Sequence, residues 1–149
     1  LGEFTIITEP TPKDFLLTAL PMSDSVEQLY DIYQGNRNYN EDIIRSAEHD
    51  LRIYKLTQNL SKEQFEDKLR YNYLNHPFIK AFLEFNGDGK YFGELTRWLH
   101  DRCTTVPTPR RFEIKEALKR IYQFTVGLDN RYEIVIPNKH SEMLRKKIS

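Results

Sequence analysis

Apolar residues in this 149-residue chain recur every three or four positions, in segments separated by capping and helix-breaking residues. This spacing places the apolar side chains of each segment on one face of a helix. Six segments show the pattern, and a single stretch near the C-terminus has the composition of a strand. The chain is therefore predicted to fold mainly as α-helices with a small amount of β-structure.

The first half of the chain contains three predicted helices, each preceded by a residue that can cap it. Asp24 or Ser25 caps the first helix, and Asn40 caps the second. Ser61 begins a capping box with Gln64 three residues later. Side-chain oxygens at these positions satisfy backbone N–H groups that the first turn of a helix leaves unpaired.

From Pro77 to Pro137 the predicted order is helix, turn, helix, loop, helix, turn and strand. Their bounds are, in order, 77–85, 86–89, 91–100, 103–108, 109–124, 127–130 and 132–136. Thr108 caps the third of these helices and Pro109 begins it. A last short helix is predicted over 141–148.

This order of elements resembles a winged helix-turn-helix domain over about 60 residues of the chain. The resemblance implies that the third helix enters the major groove of DNA and that a β-hairpin wing follows it. The wing would span 126–136 with its turn at 127–130, and 123–126 would supply its first strand if the third helix ends early. The pattern departs from the family in the loop over 103–108, which exceeds a three- or four-residue turn, and in having one obvious strand.

The chain divides into four parts by composition. Residues 1–4 resemble a protease-site and cloning-site remnant, and residues 5–23 form an extended lead-in with three prolines. Residues 24–75 form an acidic helical part, and residues 76–149 form a basic, winged-helix-like part. We expect a mainly α fold in which the helical N-terminal part packs on a C-terminal winged-helix-like domain with a small β-wing. We also expect the chain to be a domain of a larger protein.

Charge is unevenly distributed although the formal net charge is zero. Residues 1–50 carry ten acidic and three basic side chains, whereas residues 101–149 carry eleven basic and six acidic ones. An acidic and a basic half in one chain indicate a part that faces nucleic acid, or charge clustering on solvated faces.

The third helix of the C-terminal half carries the predicted DNA-contacting stripe. Its apolar residues fall within an arc of about 40° at 100° per residue, which is the face that packs on the core. Arginine can read guanine, glutamine can read adenine, and lysine mostly contacts phosphate. The residues predicted to contact DNA on this helix, the wing and the tail are Arg110, Arg111, Lys115, Lys119, Gln123, Arg131, Lys139, Arg145 and Lys146. The alternative is a solvated basic face on which Glu113 pairs with nearby bases and Glu116 pairs with Arg120.

Other classes of protein find little support in the sequence. No apolar run is long enough to span a membrane, and one cysteine excludes an internal disulfide. His100 and Cys103 can share a helix face, but two ligands fall short of the four of a structural zinc site. The segment 87–90 lacks the spacing of a phosphate-binding loop and is predicted to be a turn. We therefore predict no catalysis, no metal and no cofactor.

The preferred hypothesis is a non-catalytic, intracellular domain that binds duplex DNA. A second hypothesis is a protein-interaction or oligomerisation module of the same fold, because one fold serves many functions. Tyrosine-rich acidic helices would form its docking surface, since tyrosine suits half-buried interface sites. A third hypothesis is an accessory domain of a replication or restriction-type enzyme.

Overall fold

The computed structural model describes residues 19–104, 107–137 and 141–148. Within these ranges the chain forms helices and one two-stranded antiparallel sheet, which confirms the predicted fold class. The helices are α1 (Val26–Tyr33), α2 (Glu41–Ile53), α3 (Lys62–Leu74), α4 (Pro77–Asn86), α5 (Phe92–Arg102) and α6 (Arg111–Leu128). The strands are β1 (Tyr132–Val135) and β2 (Met143–Lys146). None of the described helices combines the length and apolar character of a membrane span.

The predicted N-caps of the first three helices are confirmed. The side chains of Ser25, Asn40 and Ser61 each accept a hydrogen bond from the backbone N–H three residues later. Gln64 completes the capping box by accepting from the backbone N–H of Ser61 at 3.0 Å. Each cap stabilises its helix by about 1 kcal/mol, so local sequence fixes where these helices begin.

Helix α6 lies at the centre of the core and contacts α1, α3, α5 and β1. Its fully or nearly buried residues are Ile114, Ala117, Leu118, Ile121, Tyr122, Phe124, Thr125 and Leu128. The buried hydroxyl of Tyr73 on α3 donates to the carbonyl oxygen of Ile121 at 3.1 Å and lies 2.9 Å from the hydroxyl of Thr125. The acidic and basic parts of the chain therefore share one core around α6.

The β-hairpin is formed by segments other than those expected. β1 pairs antiparallel with β2, so that Tyr132 lies opposite Lys146 and Val135 lies opposite Met143. The predicted wing over 126–136 is wrong in its first strand and in its turn, because α6 extends to Leu128. The helix predicted over 141–148 is also wrong, because β2 occupies that segment.

Helix α6 continues through residues 123–126, predicted as a strand, and through the first two residues of the turn predicted at 127–130. Packing against other helices stabilises this extension. The ring of Phe124 lies 5.7 Å from that of Tyr73, and Leu128 is 4% exposed. Gly127 remains helical, and a Cβ there would come within 3.2 Å of Val26 on α1. Gly127 therefore permits close packing of α6 on α1, and the helix ends at Leu128 instead of Phe124.

Strand β2 docks on the turn between α4 and α5. Leu144 is fully buried, and its carbonyl oxygen accepts a hydrogen bond from the side-chain amide of Asn86 at 2.9 Å. Gly89 has a φ of +130°, and a Cβ there would lie 3.0 Å from Met143 and 3.1 Å from Arg145. The turn predicted at 86–89 is confirmed, and it also receives the second strand.

The segment that precedes α1 is tied to α2 and α6. The backbone N–H groups of Met22 and Ser23 donate to the carboxylate of Asp50 at 2.8 and 2.7 Å. The guanidinium of Arg120 donates to the carbonyl oxygen of Pro21 at 2.8 Å. Burial raises the pKa of Asp50, although the two backbone hydrogen bonds oppose that shift. Residues 5–18 of the predicted lead-in, and the predicted remnant over 1–4, lie outside the described residues.

Candidate nucleic-acid interface

The exposed face of α6 carries the polar stripe that the sequence predicts. Arg111, Lys115, Lys119 and Gln123 follow one another at intervals of four residues, and all four are exposed. The opposite face of the same helix is buried against four other elements. The core therefore fixes α6 in place while this stripe faces solvent.

The first turn of α6 differs from the predicted start. Arg110, instead of Thr108, is the N-cap residue, and its backbone N–H donates to the carboxylate of Glu113 at 2.7 Å. The Glu113 carboxylate therefore accepts a hydrogen bond from a backbone N–H at the start of the helix. Phe112 is 58% exposed, and the guanidinium of Arg110 lies 5.9 Å from its ring. Sequence analysis missed Phe112 as a surface residue, although its position off the apolar face of the helix signals exposure.

The ion pair of Glu116 on α6 involves a different partner from the one expected. Glu116 pairs with Lys119 at 3.8 Å, and both side chains are more than half exposed. The predicted pair of Glu116 with Arg120 is wrong because the Arg120 guanidinium donates to the segment before α1 instead. The exposed pair contributes little to stability, since such pairs are worth about 0–1 kcal/mol.

The hairpin arginines are paired within the fold. Arg131 makes a bidentate contact with the buried carboxylate of Asp129, with hydrogen bonds of 2.9 and 2.7 Å. The side-chain hydrogen bond from Arg131 lowers the pKa of Asp129, and burial opposes that effect. Arg145 donates to Glu133 at 2.9 Å across the strand pair. The positive charge of both predicted contact residues is therefore balanced locally.

The predicted tail residues fall into two groups. Lys146 is exposed at the end of β2, whereas Lys139 lies outside the described residues. The backbone N–H of Lys147 donates to the carbonyl oxygen of Arg131 at 2.7 Å, which extends the pairing beyond β2. The described end of the tail is therefore held against the residue that precedes β1 by a backbone hydrogen bond.

A cleft of about 430 Å³ lies between α5 and the first turn of α6. Its lining residues are Gly93, Thr96, Arg97, His100, Pro109, Arg111 and Ile114. The sequence pattern indicated His100 only as a possible metal ligand and gave no signal for Arg97. Arg97 and His100 are three residues apart and therefore lie on one face of α5, but their proximity to Arg111 depends on how the helices pack.

A smaller cleft of about 340 Å³ lies on the other side of Arg97 and exposes an edge of an aromatic stack. The rings of Phe85 and Trp98 stack with centroids 5.2 Å apart. The guanidinium of Arg102 lies 4.6 Å from the Trp98 ring, and the ammonium of Lys90 lies 4.8 Å from the Phe85 ring. Trp98 is 8% exposed, which confirms its prediction as a core residue.

A third cleft, of about 540 Å³, lies in the acidic part between α1 and α3. Its charged and aromatic lining residues are Glu27, Tyr30, Asp31, Tyr39, Lys62 and Glu66. The Tyr39 hydroxyl donates to the Asp31 carboxylate at 2.6 Å, and this hydrogen bond raises the pKa of Tyr39. The tyrosines of this part are not all alike, because Tyr54 and Tyr73 are fully buried whereas Tyr71 is 68% exposed.

The described part of the chain contains no group of three or more His, Cys, Asp or Glu side chains that could hold a metal ion. Comparison with known proteins adds no family assignment, because no protein-family model, curated protein or solved structure matches the chain. Any statement of function therefore rests on the residues and their geometry.

Proposed function

We propose that this protein binds duplex DNA through the exposed face of α6. The observation that carries the proposal is the stripe of Arg111, Lys115, Lys119 and Gln123 on a helix whose other face is fixed in the core. A helix of 18 residues is about 27 Å long at 1.5 Å per residue. The major groove of B-DNA, about 12 Å wide, admits a helix with its side chains.

The availability of the charges on α6 supports the same proposal. Among the described residues, the side chains of Arg111 and Lys115 form no ion pair or hydrogen bond. Both are therefore free to contact phosphate or base edges without breaking an internal interaction. Arginine near the start of such a helix offers a bidentate donor to guanine or to phosphate, and Gln123 offers an amide to adenine.

Salt-dependent binding tests this proposal. The affinity of the protein for a fluorescein-labelled random duplex is measured by anisotropy from about 50 to 200 mM salt, where phosphate contacts weaken steeply. Wild-type protein should bind at low salt and lose affinity as salt rises. Arg111→Glu/Lys115→Glu should lower the affinity by at least about 10-fold, because it reverses two charges that would contact phosphate. Each lost phosphate contact should also reduce the salt dependence of binding.

A matched control keeps the same change in net charge away from α6. Arg52→Glu/Lys80→Glu alters one exposed arginine on α2 and one exposed lysine on α4. The control should bind nearly as well as wild type. Absence of binding at the lowest salt, or equal losses in both double variants, would overturn DNA binding through α6.

The cleft between α1 and α3 supports a second candidate function, recognition of a basic protein segment. Three carboxylates and two tyrosine rings meet there, and a cation is attracted both to carboxylates and to ring faces. The ammonium group of Lys62 lies 5.9 Å from the centre of the Tyr30 ring, which supports the proposal that this ring can contact a cation. A labelled oligoarginine peptide should bind wild type and should bind Glu27→Gln/Glu66→Gln more weakly.

A further inference from the structure

The cleft between α5 and α6 combines basic side chains from two helices. Arg97 and His100 come from the middle and end of α5, whereas Arg111 comes from the first turn of α6. The cleft therefore exists only because the two helices pack together. Two guanidinium groups and one imidazole, all able to donate hydrogen bonds, line one space of about 430 Å³.

The two arginines of this cleft lack internal partners. In the ranges that the structure describes, neither the Arg97 nor the Arg111 side chain makes a hydrogen bond, ion pair or ring contact. By contrast, Arg131 and Arg145 pair with carboxylates, and Arg102 covers the Trp98 ring. No described carboxylate lines this cleft, although Glu94 and Asp101 line the neighbouring cleft that Arg97 also borders. An anion between two guanidinium groups offsets their mutual repulsion.

The rest of the lining neither neutralises these charges nor competes for a ligand. The hydroxyl of Thr96 donates to the carbonyl oxygen of Phe92 at 2.8 Å, and Ile114 is 1% exposed. His100 lies 3.7 Å from Asp101, but Asp101 lines the neighbouring cleft instead of this one. A Cβ at Gly93 would meet nothing within 4 Å, so the space beside this lining residue is open.

We propose that the cleft between α5 and α6 binds a phosphate group, held by the guanidinium groups of Arg97 and Arg111 with His100 as a third donor. Guanidinium groups match phosphate oxygens because they donate two parallel hydrogen bonds. If the bound phosphate belongs to a nucleic acid, the inference rests on the proposed function, because Arg111 belongs both to the α6 stripe and to the cleft. A duplex lying on the stripe brings its backbone to this end of α6, and free phosphate is the other source of the same chemistry.

Two single variants separate the cleft from the stripe. Arg97→Gln removes one charge from the cleft and none from the stripe, whereas Lys119→Gln removes one charge from the stripe and none from the cleft. Both residues are exposed, so both variants should keep the wild-type melting temperature. Inorganic phosphate is titrated at constant ionic strength, with chloride as the balancing anion, and backbone and imidazole NMR signals are followed.

Wild type and Lys119→Gln should show saturable phosphate-dependent shifts at α5, His100 and the first turn of α6, and Arg97→Gln should lose them. In the duplex assay, Arg97→Gln should weaken binding about 3- to 10-fold and lower the salt slope by about one. Phosphate shifts with an unchanged duplex affinity of Arg97→Gln would support the site with free phosphate as its source.

The failure of this inference and the failure of DNA binding give different results. If no saturable phosphate shift occurs and Arg97→Gln binds duplex as wild type does, the phosphate site is overturned while DNA binding through α6 stands. If phosphate shifts the cleft signals and no variant binds duplex, the phosphate site stands while the proposed function falls.

Discussion

Helix α6 and the C-terminal hairpin both carry basic residues, but they use them differently. On the hairpin, Arg131 is paired with Asp129 and Arg145 is paired with Glu133. On α6, Arg111 and Lys115 have no partner among the described residues. The difference arises because strand register places Glu133 opposite Arg145, whereas no described carboxylate forms an ion pair with Arg111 or Lys115.

This contrast shows that a count of basic residues does not give the charge available to a ligand. A paired arginine must break an internal contact before it meets phosphate, which costs about as much as a charged hydrogen bond gives. The hairpin charges should therefore affect stability more than binding. The α6 charges should affect binding more than stability.

The largest effect on stability is expected where the hairpin is attached to the helices. Asn86→Ala removes the amide that donates to Leu144 and the oxygen that accepts from the backbone N–H of Lys90 at 3.2 Å. Asn86 is 1% exposed, so both groups lose their partners inside the protein, at a total cost of about 3 kcal/mol. Urea denaturation followed by circular dichroism measures the loss.

Asn75→Ala is a matched control, because the exposed Asn75 amide also donates to a carbonyl, at 2.8 Å, at the end of α3. It should cost less than about 1 kcal/mol. Below its melting temperature Asn86→Ala should still bind duplex through α6. Loss of binding in the folded variant would contradict the separation of the two regions.

The next largest loss of stability is expected for a carboxylate beside the hairpin, compared with one on α6. The Asp129 side chain is 6% exposed, and its negative charge pairs with Arg131. Asp129→Asn removes that charge and should lower the free energy of unfolding by about 1.5 kcal/mol. Glu116→Gln removes the exposed partner of Lys119 on α6 and should cost less than about 0.5 kcal/mol. Denaturation of the two variants side by side measures the difference, and equal costs would remove the contrast in stability.

The pH dependence of stability sharpens the same comparison. The pKa of Asp129 is lowered in the folded protein from its ordinary value of 3.8, chiefly by the hydrogen bond from Arg131. Its stabilising contribution is therefore fully present above that ordinary value and is lost as the pH falls through the folded pKa. The difference in unfolding free energy between wild type and Asp129→Asn should shrink on acidification from pH 7 to about pH 2.

Asp50 contributes to the pH dependence of stability with the opposite sign, because its raised pKa favours the protonated form in the folded state. Subtracting the Asp129→Asn curve from the wild-type curve cancels this contribution, because both proteins contain Asp50. A difference that stays constant with pH would show that Arg131 does not stabilise the Asp129 carboxylate.

Local signals predicted the helical elements well. Ser25, Asn40 and Ser61 cap helices because their side chains bond to backbone groups only three residues away. The stripe on α6 was also predictable, since it needs only helical periodicity and the position of the apolar face. These features depend on short stretches of chain.

Features that depend on distant contacts were not predictable in the same way. Gly127 reads as a turn residue in the sequence, but its lack of a side chain admits Val26 from a segment about a hundred residues earlier. β2 is a strand because Leu144 docks on Asn86 and pairs with β1. The phosphate cleft needs Arg97 and Arg111 on two packed helices, a placement that no local spacing encodes.

The smallest effect on stability is expected on the α6 stripe itself. Lys115→Gln removes an exposed charge without an internal partner, so the free energy of unfolding should stay within about 0.5 kcal/mol of wild type. Its duplex affinity should nevertheless fall at every salt concentration, and the slope of log affinity against log salt should decrease by about one. Arg145→Gln on the hairpin should reverse this order, with a measurable loss of stability and a nearly unchanged slope, since Glu133 already balances Arg145. If Arg145→Gln changes the salt slope as much as Lys115→Gln does, the hairpin charges exchange their internal partners for DNA, and the two regions form one binding surface.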